Sequence, residues 1–222
     1  MIISHEHELY RKRWHQIGRH RWNGAYFYSR EICELIIPNV KTNRSWITIK
    51  AGEEGCDHSI LFVHDNVNFE QTYEYMKRYE DVIYVVGLPD MVERAEAFGK
   101  TIYLPLSVDV EYIQKYRIPE RKKTREIACF GRPMKRWQKE FPMPEDVEVM
   151  GLMPRDKYLN ELAKTKKVFA IGRTAIEAKV LGAEVLPFHP RLPDVSLWKV
   201  LDSRDAAKIL QKKLDEIDGV KK

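Results

Sequence analysis

The sequence predicts an α/β chain of two lobes, each built around a parallel sheet. Three observations predict it. Short apolar runs rich in Val, Ile, Tyr and Phe alternate with helical patterns along almost the whole length, the signature of βα units. The runs fall into two series. Between them lies a polar, basic stretch, 116–124, which contains Pro119 and reads as a linker.

The first series opens with a strand at 1–4. A small-residue turn, Trp22-Asn23-Gly24-Ala25-Tyr26, leads into a helix at 28–36, and strands follow at 46–50 and 59–64. Asn68-Phe69-Glu70-Gln71 reads as an N-cap with a glutamine at N3, and Phe69, Tyr73 and Met76 recur at helical spacing. A strand at 82–86 precedes a second capping box, Asp90-Met91-Val92-Glu93, closed by Gly99. A strand at 101–106 ends this series.

The second series places strands at 126–130, 147–151, 167–171 and 184–188. Thr174-Ala175-Ile176-Glu177 is a third capping box, closed by Gly182. A final helix at 204–217 carries Leu210, Leu214 and Ile217 as its apolar stripe. The two series define Rossmann-like lobes at 1–116 and 117–222, with a ligand cleft expected between them.

Composition excludes several classes. Hydrophobic content of 44% and charged content of 32% suit a packed core and argue against wholesale disorder. No apolar run approaches bilayer length, and the first residues hold no signal-peptide run. The expected location is the cytoplasm, with attachment at a membrane surface as the alternative. Cys33, Cys56 and Cys129 are odd in number, far apart and in no CxxC pair, so three reduced thiols are expected, Cys33 and Cys129 in the core. Net charge is +5, mild enough to favour anionic ligands without naming one.

Ligands of open parallel sheets gather at the carboxyl ends of strands, and four such ends are informative. In Val168-Phe169-Ala170-Ile171-Gly172-Arg173-Thr174 a strand runs through a glycine turn into a helix. Helix N–H groups and dipole suit a phosphate there, with Arg173 adding charge. The competing reading spends Thr174 and Glu177 on capping. Cys129-Phe130-Gly131-Arg132-Pro133-Met134-Lys135 sets Arg132 and Lys135 in one short turn beside Gly131. Those cations would neutralise a diphosphate leaving group, or else form a solvated basic loop. Val63-His64-Asp65-Asn66 delivers three polar groups at a strand tip, where His64 is a proton carrier or a structural histidine. The fourth is the Gly24 turn.

Missing motifs narrow the chemistry. The chain has no GxGxxG, no GxxxxGK[ST], no HExxH and no Asp-x-Asp. A metal-independent reaction is therefore expected, with no cofactor.

In order, these four sites resemble the GT-B glycosyltransferases, particularly the retaining group. Gly172-Arg173-Thr174-Ala175-Ile176-Glu177-Ala178, with Leu181-Gly182-Ala183, is similar to the family's donor-site segment, which implies a ribose-binding role for Glu177. Phe130-Gly131-Arg132 followed by Lys135 resembles the family's strand-end cations facing the diphosphate. Val63-His64-Asp65 resembles the strand-end histidine beside the transferred sugar, and Gly24-Ala25 the glycine loop. Leu104-Pro105-Leu106-Ser107-Val108-Asp109 is similar to the segment ending the first lobe, which reads here as a hinge. Phe169 stands where many relatives carry a second glutamate.

The resemblance implies transfer of a sugar from a nucleoside-diphosphate sugar, with a UDP-sugar as the expected donor. His64, Arg132 and Lys135 would be catalytic. Gly131, Gly172, Arg173, Thr174 and Glu177 would bind the donor, and Gly24, Asp65 and Asn66 would face the acceptor. The acceptor side leaves two partners open. Arg11, Lys12, Arg13, Arg19 and Arg21 interleave with Trp14, Trp22 and Tyr26, a pattern suited to nucleic acid or to an anionic membrane-surface glycolipid. The alternative function is a catalytically inactive nucleotide- or nucleic-acid-binding module on the same scaffold.

Overall fold

The computed structural model describes residues 2–4, 30–48, 56–63, 74, 76–130, 144, 146–151, 153–187 and 194–219. Nine strands form two all-parallel sheets among these residues. The first sheet holds β1 (Ile2–Ser4), β2 (Ser45–Thr48), β3 (Ser59–Val63), β4 (Val82–Val86) and β5 (Lys100–Tyr103), in that order. The second holds β6 (Arg125–Cys129), β7 (Glu148–Val149), β8 (Thr165–Phe169) and β9 (Glu184–Leu186), in the order β7-β6-β8-β9. Every predicted strand is present, with ends shifted by at most three residues. The chain is therefore α/β with two small parallel sheets, consistent with Rossmann-like lobes.

The described residues form two compact units. One contains those up to Leu106 together with the C-terminal helix, and the other spans Ser107–Asp202. The sequence reading puts the final helix in the second lobe, whereas its contacts put it in the first unit. An amphipathic stripe shows that a helix needs an apolar partner, not which partner it takes.

In the first unit β3 and β4 are buried at every position, as expected of central strands in a parallel sheet covered on both faces. On one face Ile47, Leu61, Val63, Tyr84 and Val86 pack with Met76 and with Met91 and Ala95 of α1 (Asp90–Glu96). On the other face Trp46, Ile60, Phe62, Ile83, Val85 and Ile102 are also buried, and Trp46 stacks on Phe62 at 6.0 Å. The predicted helix at 28–36 is described from Arg30. It becomes a π-helical turn at Ile32–Ile36 and a 3-10 turn at Ile37–Asn39, where Pro38 follows.

One polar network gathers at the amino ends of this sheet. Arg44, His58 and Asp81 each directly precede a strand, and Lys100 begins one. Asp81 accepts from Arg44 Nη1 at 2.8 Å, from His58 Nδ1 at 2.8 Å and from Lys100 at 3.2 Å. Arg44, 4% exposed, also donates to Asp218 at 2.7 Å. His58 and Asp81 have φ of 50° and 51°, a left-handed conformation uncommon for residues other than glycine.

In the second unit the helices are α2 (Val110–Gln114), α3 (Arg155–Ala163) and α4 (Gly172–Val180). The final helix, α5 (Ser203–Asp218), belongs to the first unit and buries Ser203, Ala206, Ala207, Leu210 and Leu214. Ile217, expected in that stripe, is only partly buried. At the edge of the second unit the outgoing and returning segments run side by side. Val108 donates its backbone N–H to Leu201 at 3.0 Å, and Val110 N–H donates to Asp202 Oδ2 at 3.1 Å.

The capping boxes are corrected by the structure. The N-cap of α1 is Pro89, and Asp90 is already helical. The N-cap of α4 is Ile171, so Thr174 lies in the first turn and Glu177 bonds arginines instead of capping. The Asn68 box and the Trp22–Tyr26 turn lie outside the described residues. Gly99 follows α1 without left-handed geometry. Gly182 does close α4: at φ +78° it donates to Lys179, and Ala183 N–H donates to Ala178. That is a Schellman closure. Cys33 and Cys129 are buried, as expected, and none of the three cysteines is in a disulfide.

Candidate functional site

The order of the second sheet points to one edge. From β6 the chain moves outward to β7, then returns past β6 to β8 and continues to β9. The direction of connection reverses between β6 and β8, and right-handed crossovers then send their following segments to opposite faces. A crevice at the carboxyl ends of those two strands is the expected ligand position. The first sheet runs in sequential order and has no such reversal.

β6 and β8 end side by side. Cys129 pairs with Phe169, and Phe130 N–H donates to the Phe169 carbonyl at 3.1 Å. Two predicted donor segments, the one entering Gly131 and the one through Gly172, thus leave from neighbouring strand ends. Beyond Phe130, the residues Gly131, Arg132 and Lys135 lie outside the described residues, as do Gly24, His64, Asp65 and Asn66.

Gly172, Arg173, Thr174 and Glu177 are described and lie together on the first two turns of α4. Gly172 has φ +57°, a conformation that favours glycine, and turns the extended Ile171 into the helix. No side chain caps that N-terminus from the Ile171 position. Residues 172–174 are partly exposed, so this helix start meets solvent.

Below it sits a buried ion cluster. Glu177 is 2% exposed. Arg155 grips it with both terminal nitrogens, Nη1 to Oε2 at 2.9 Å and Nη2 to Oε1 at 2.8 Å. Arg173 Nε adds a bond to Oε1 at 2.7 Å. Burial disfavours the charged carboxyl, but Arg155 and Arg173 outweigh it and hold Glu177 below the ordinary carboxylate range. Tyr158 completes the cluster. Arg155 lies over its ring at 5.4 Å, and the Phe130 ring meets it edge-on at 5.8 Å. Burial, helped by the Glu177 charge, raises the pKa of its hydroxyl.

Sequence reasoning missed Arg155 and Tyr158. The signal was topological: Arg155 begins the helix that follows β7, which puts it on the same carboxyl edge as Gly172. Among the described residues no group of three His, Cys, Asp or Glu could hold a metal ion, and no helix is long and apolar enough to cross a membrane.

No family model, no curated protein and no solved structure matches this chain.

Proposed function

We propose that the chain is a metal-independent glycosyltransferase of GT-B type that takes its sugar from a nucleoside-diphosphate sugar, UDP-linked by preference. One observation carries the reading. The two segments with the sequence features of a diphosphate site leave adjacent strand ends at the order reversal of one sheet, beside a partly exposed helix start. Such an edge suits an anion, because helix N–H groups and the dipole favour negative charge.

The chemistry would be cleavage of the sugar C1–phosphate bond through an oxocarbenium-like state. Charge grows on the departing diphosphate. Arg132, Lys135 and the α4 N-terminus would stabilise that charge more in the transition state than in the ground state. Gly131 and Gly172 would let the backbone approach it. His64 would face the reacting sugar, with Asp65, Asn66 and Gly24 on the acceptor side. The acceptor would be a cell-envelope glycan or lipid, or a modified nucleic acid.

A second reading has an observation of its own. Both oxygens of Glu177 are engaged by arginines, so in this arrangement a ribose would have to compete with them for the role implied for it. This favours a nucleotide-binding module without turnover. Calorimetric titration with UDP, ADP and GDP, followed by assay of nucleoside diphosphate release from the matching sugars, separates the readings. The transferase predicts release that Arg132→Ala abolishes while the fold survives. Binding without release from any donor, with acceptors present, supports the module.

A further inference from the structure

We infer that the segment from Lys115 to Lys122 is a contact strip for the phosphate backbone of a nucleic acid, met by Lys115, Arg117, Arg121 and Lys122. This holds whether or not the chain transfers a sugar. Between Lys115 and Arg125 six cations accompany a single acid, Glu120. The structure divides the six into two sets. Lys123 and Arg125 turn inward. Lys123, 7% exposed, donates to the Gly182 carbonyl and pairs with Glu120 at 3.1 Å. Arg125 pairs with Glu148 at 2.7 Å and with Glu161 at 2.9 Å. Lys115, Arg117, Arg121 and Lys122 are all exposed, and none forms an ion pair with a described residue. Glu120, Glu148 and Glu161 are thus taken by the inward pair, and the outward four keep their charge.

Those four are displayed from a fixed backbone. Tyr116 and Arg117 close α2, donating their backbone N–H groups to Ile113 and Gln114 at 3.0 Å each. The Tyr116 hydroxyl donates to Asp156 at 2.8 Å. A 3-10 turn follows at Glu120–Lys122, and Thr124 and Arg125 N–H groups both donate to the Lys164 carbonyl. Arg117 passes beside Gly182, where an added Cβ would lie 3.4 Å from its guanidinium. Lys123 reaches the carbonyl of the same glycine. Residues on both sides of Pro119 therefore gather about the end of α4. Cations on a held backbone lose less freedom on binding, and the arginine fork matches phosphate oxygens. An anionic membrane would attract the same charges, but a segment lying on a membrane also needs an apolar face. Here Ile113 is fully buried, Ile118 is partly buried, and no large apolar side chain of the strip is exposed. A phosphodiester backbone asks only for cations.

Fluorescence anisotropy with labelled duplex DNA and labelled single-stranded RNA tests this at about 50 and about 200 mM salt. Four phosphate contacts predict an affinity that falls by at least about 100-fold across that range. Replacing all four cations by Gln should weaken binding and lower the log–log salt slope by about 3 to 4, with the melting temperature unchanged. A comparison variant removes the same charge through Lys41→Gln, Lys157→Gln, Lys199→Gln and Lys212→Gln, at exposed lysines in no ion pair with a described residue. It should keep most of the affinity. Equal losses in the two variants would make overall charge the cause and overturn the inference. If the strip variant does not fold, Arg121→Gln with Lys122→Gln alone should lower the slope by about 2. An unchanged slope, or no binding of either polymer by the wild-type chain, overturns the inference. So does strip-dependent binding to phosphatidylserine vesicles without binding of nucleic acid. Strip-dependent binding of either polymer supports it, and the preferred polymer names the source.

Discussion

Arg44 holds Asp218 across 174 residues of sequence, with 2.7 Å between Nη2 and Oδ1. The same guanidinium donates to the side chain and the backbone carbonyl of Asp81. One buried cation thereby ties the end of α5 to the amino edge of the first sheet. Arg44→Ala should cost about 3 kcal/mol, the lower part of the range for breaking a buried pair, because both carboxylates can hydrate once released. Arg44→Lys should recover part of the loss. Urea denaturation of the three proteins checks this, and a loss under about 0.5 kcal/mol, typical of surface changes, would count against it.

Acid should find the same network. Burial opposes the charge on Asp81, but His58, Arg44 and Lys100 overcome it and pull its carboxyl down to about 2 from 3.8. The folded-state pKa is depressed, so the contribution to stability is fully present above the unfolded value and fades as pH falls from 3.8 toward 2. Asp81→Asn should be less stable than wild type at neutral pH, and the gap should narrow across that window. Denaturant midpoints between pH 2 and pH 6 test it.

The two left-handed glycines of α4 should separate stability from binding. Gly172 opens the helix at φ +57° and Gly182 closes it at φ +78°. Alanine at either position forces a strained backbone, at about 1–2 kcal/mol. At 182 the added Cβ would also lie 3.4 Å from the Arg117 guanidinium. Both variants should melt at lower temperature. Only Gly172→Ala should also weaken the proposed UDP binding, because only that end of the helix lies at the carboxyl ends of β6 and β8. Calorimetry on both variants reads the difference.

Asp202 accepts the backbone N–H of Val110, the first residue of α2, while Asp109 accepts that of Tyr112. Asp202→Ala should cost about 1 kcal/mol, as loss of a cap does. Amide exchange should quicken at Val110 more than at Tyr112. Equal acceleration at both would mean that Asp202 does more than cap.

The strands were legible in the sequence because a strand buried on both faces has a plain signature. Val82-Ile83-Tyr84-Val85-Val86 is apolar at every position and bounded by polar or glycine residues, and its limits match the structure. Helix starts were harder. Thr174 and Glu177 have capping-box spacing, yet the chain enters the helix three residues earlier, through a left-handed glycine, and spacing does not record φ. The partner of Glu177 lies 22 residues away on another helix. Only the strand order brings Arg155 to that edge, and order is a property of the sheet, not of any local window. The Arg44 network was missed for the same reason, since its members are scattered from residue 44 to residue 218.

The return of α5 to the first unit has a consequence for synthesis. The residues of the first sheet leave the ribosome before Ser107–Asp202, but the helix that covers part of their core emerges afterwards. At about 5–20 residues per second, the nascent first unit waits roughly 5–20 seconds for its closing element. The second unit can mature while its predecessor is still open. A chain halted near residue 202 should therefore carry a protease-resistant second half and a vulnerable first half.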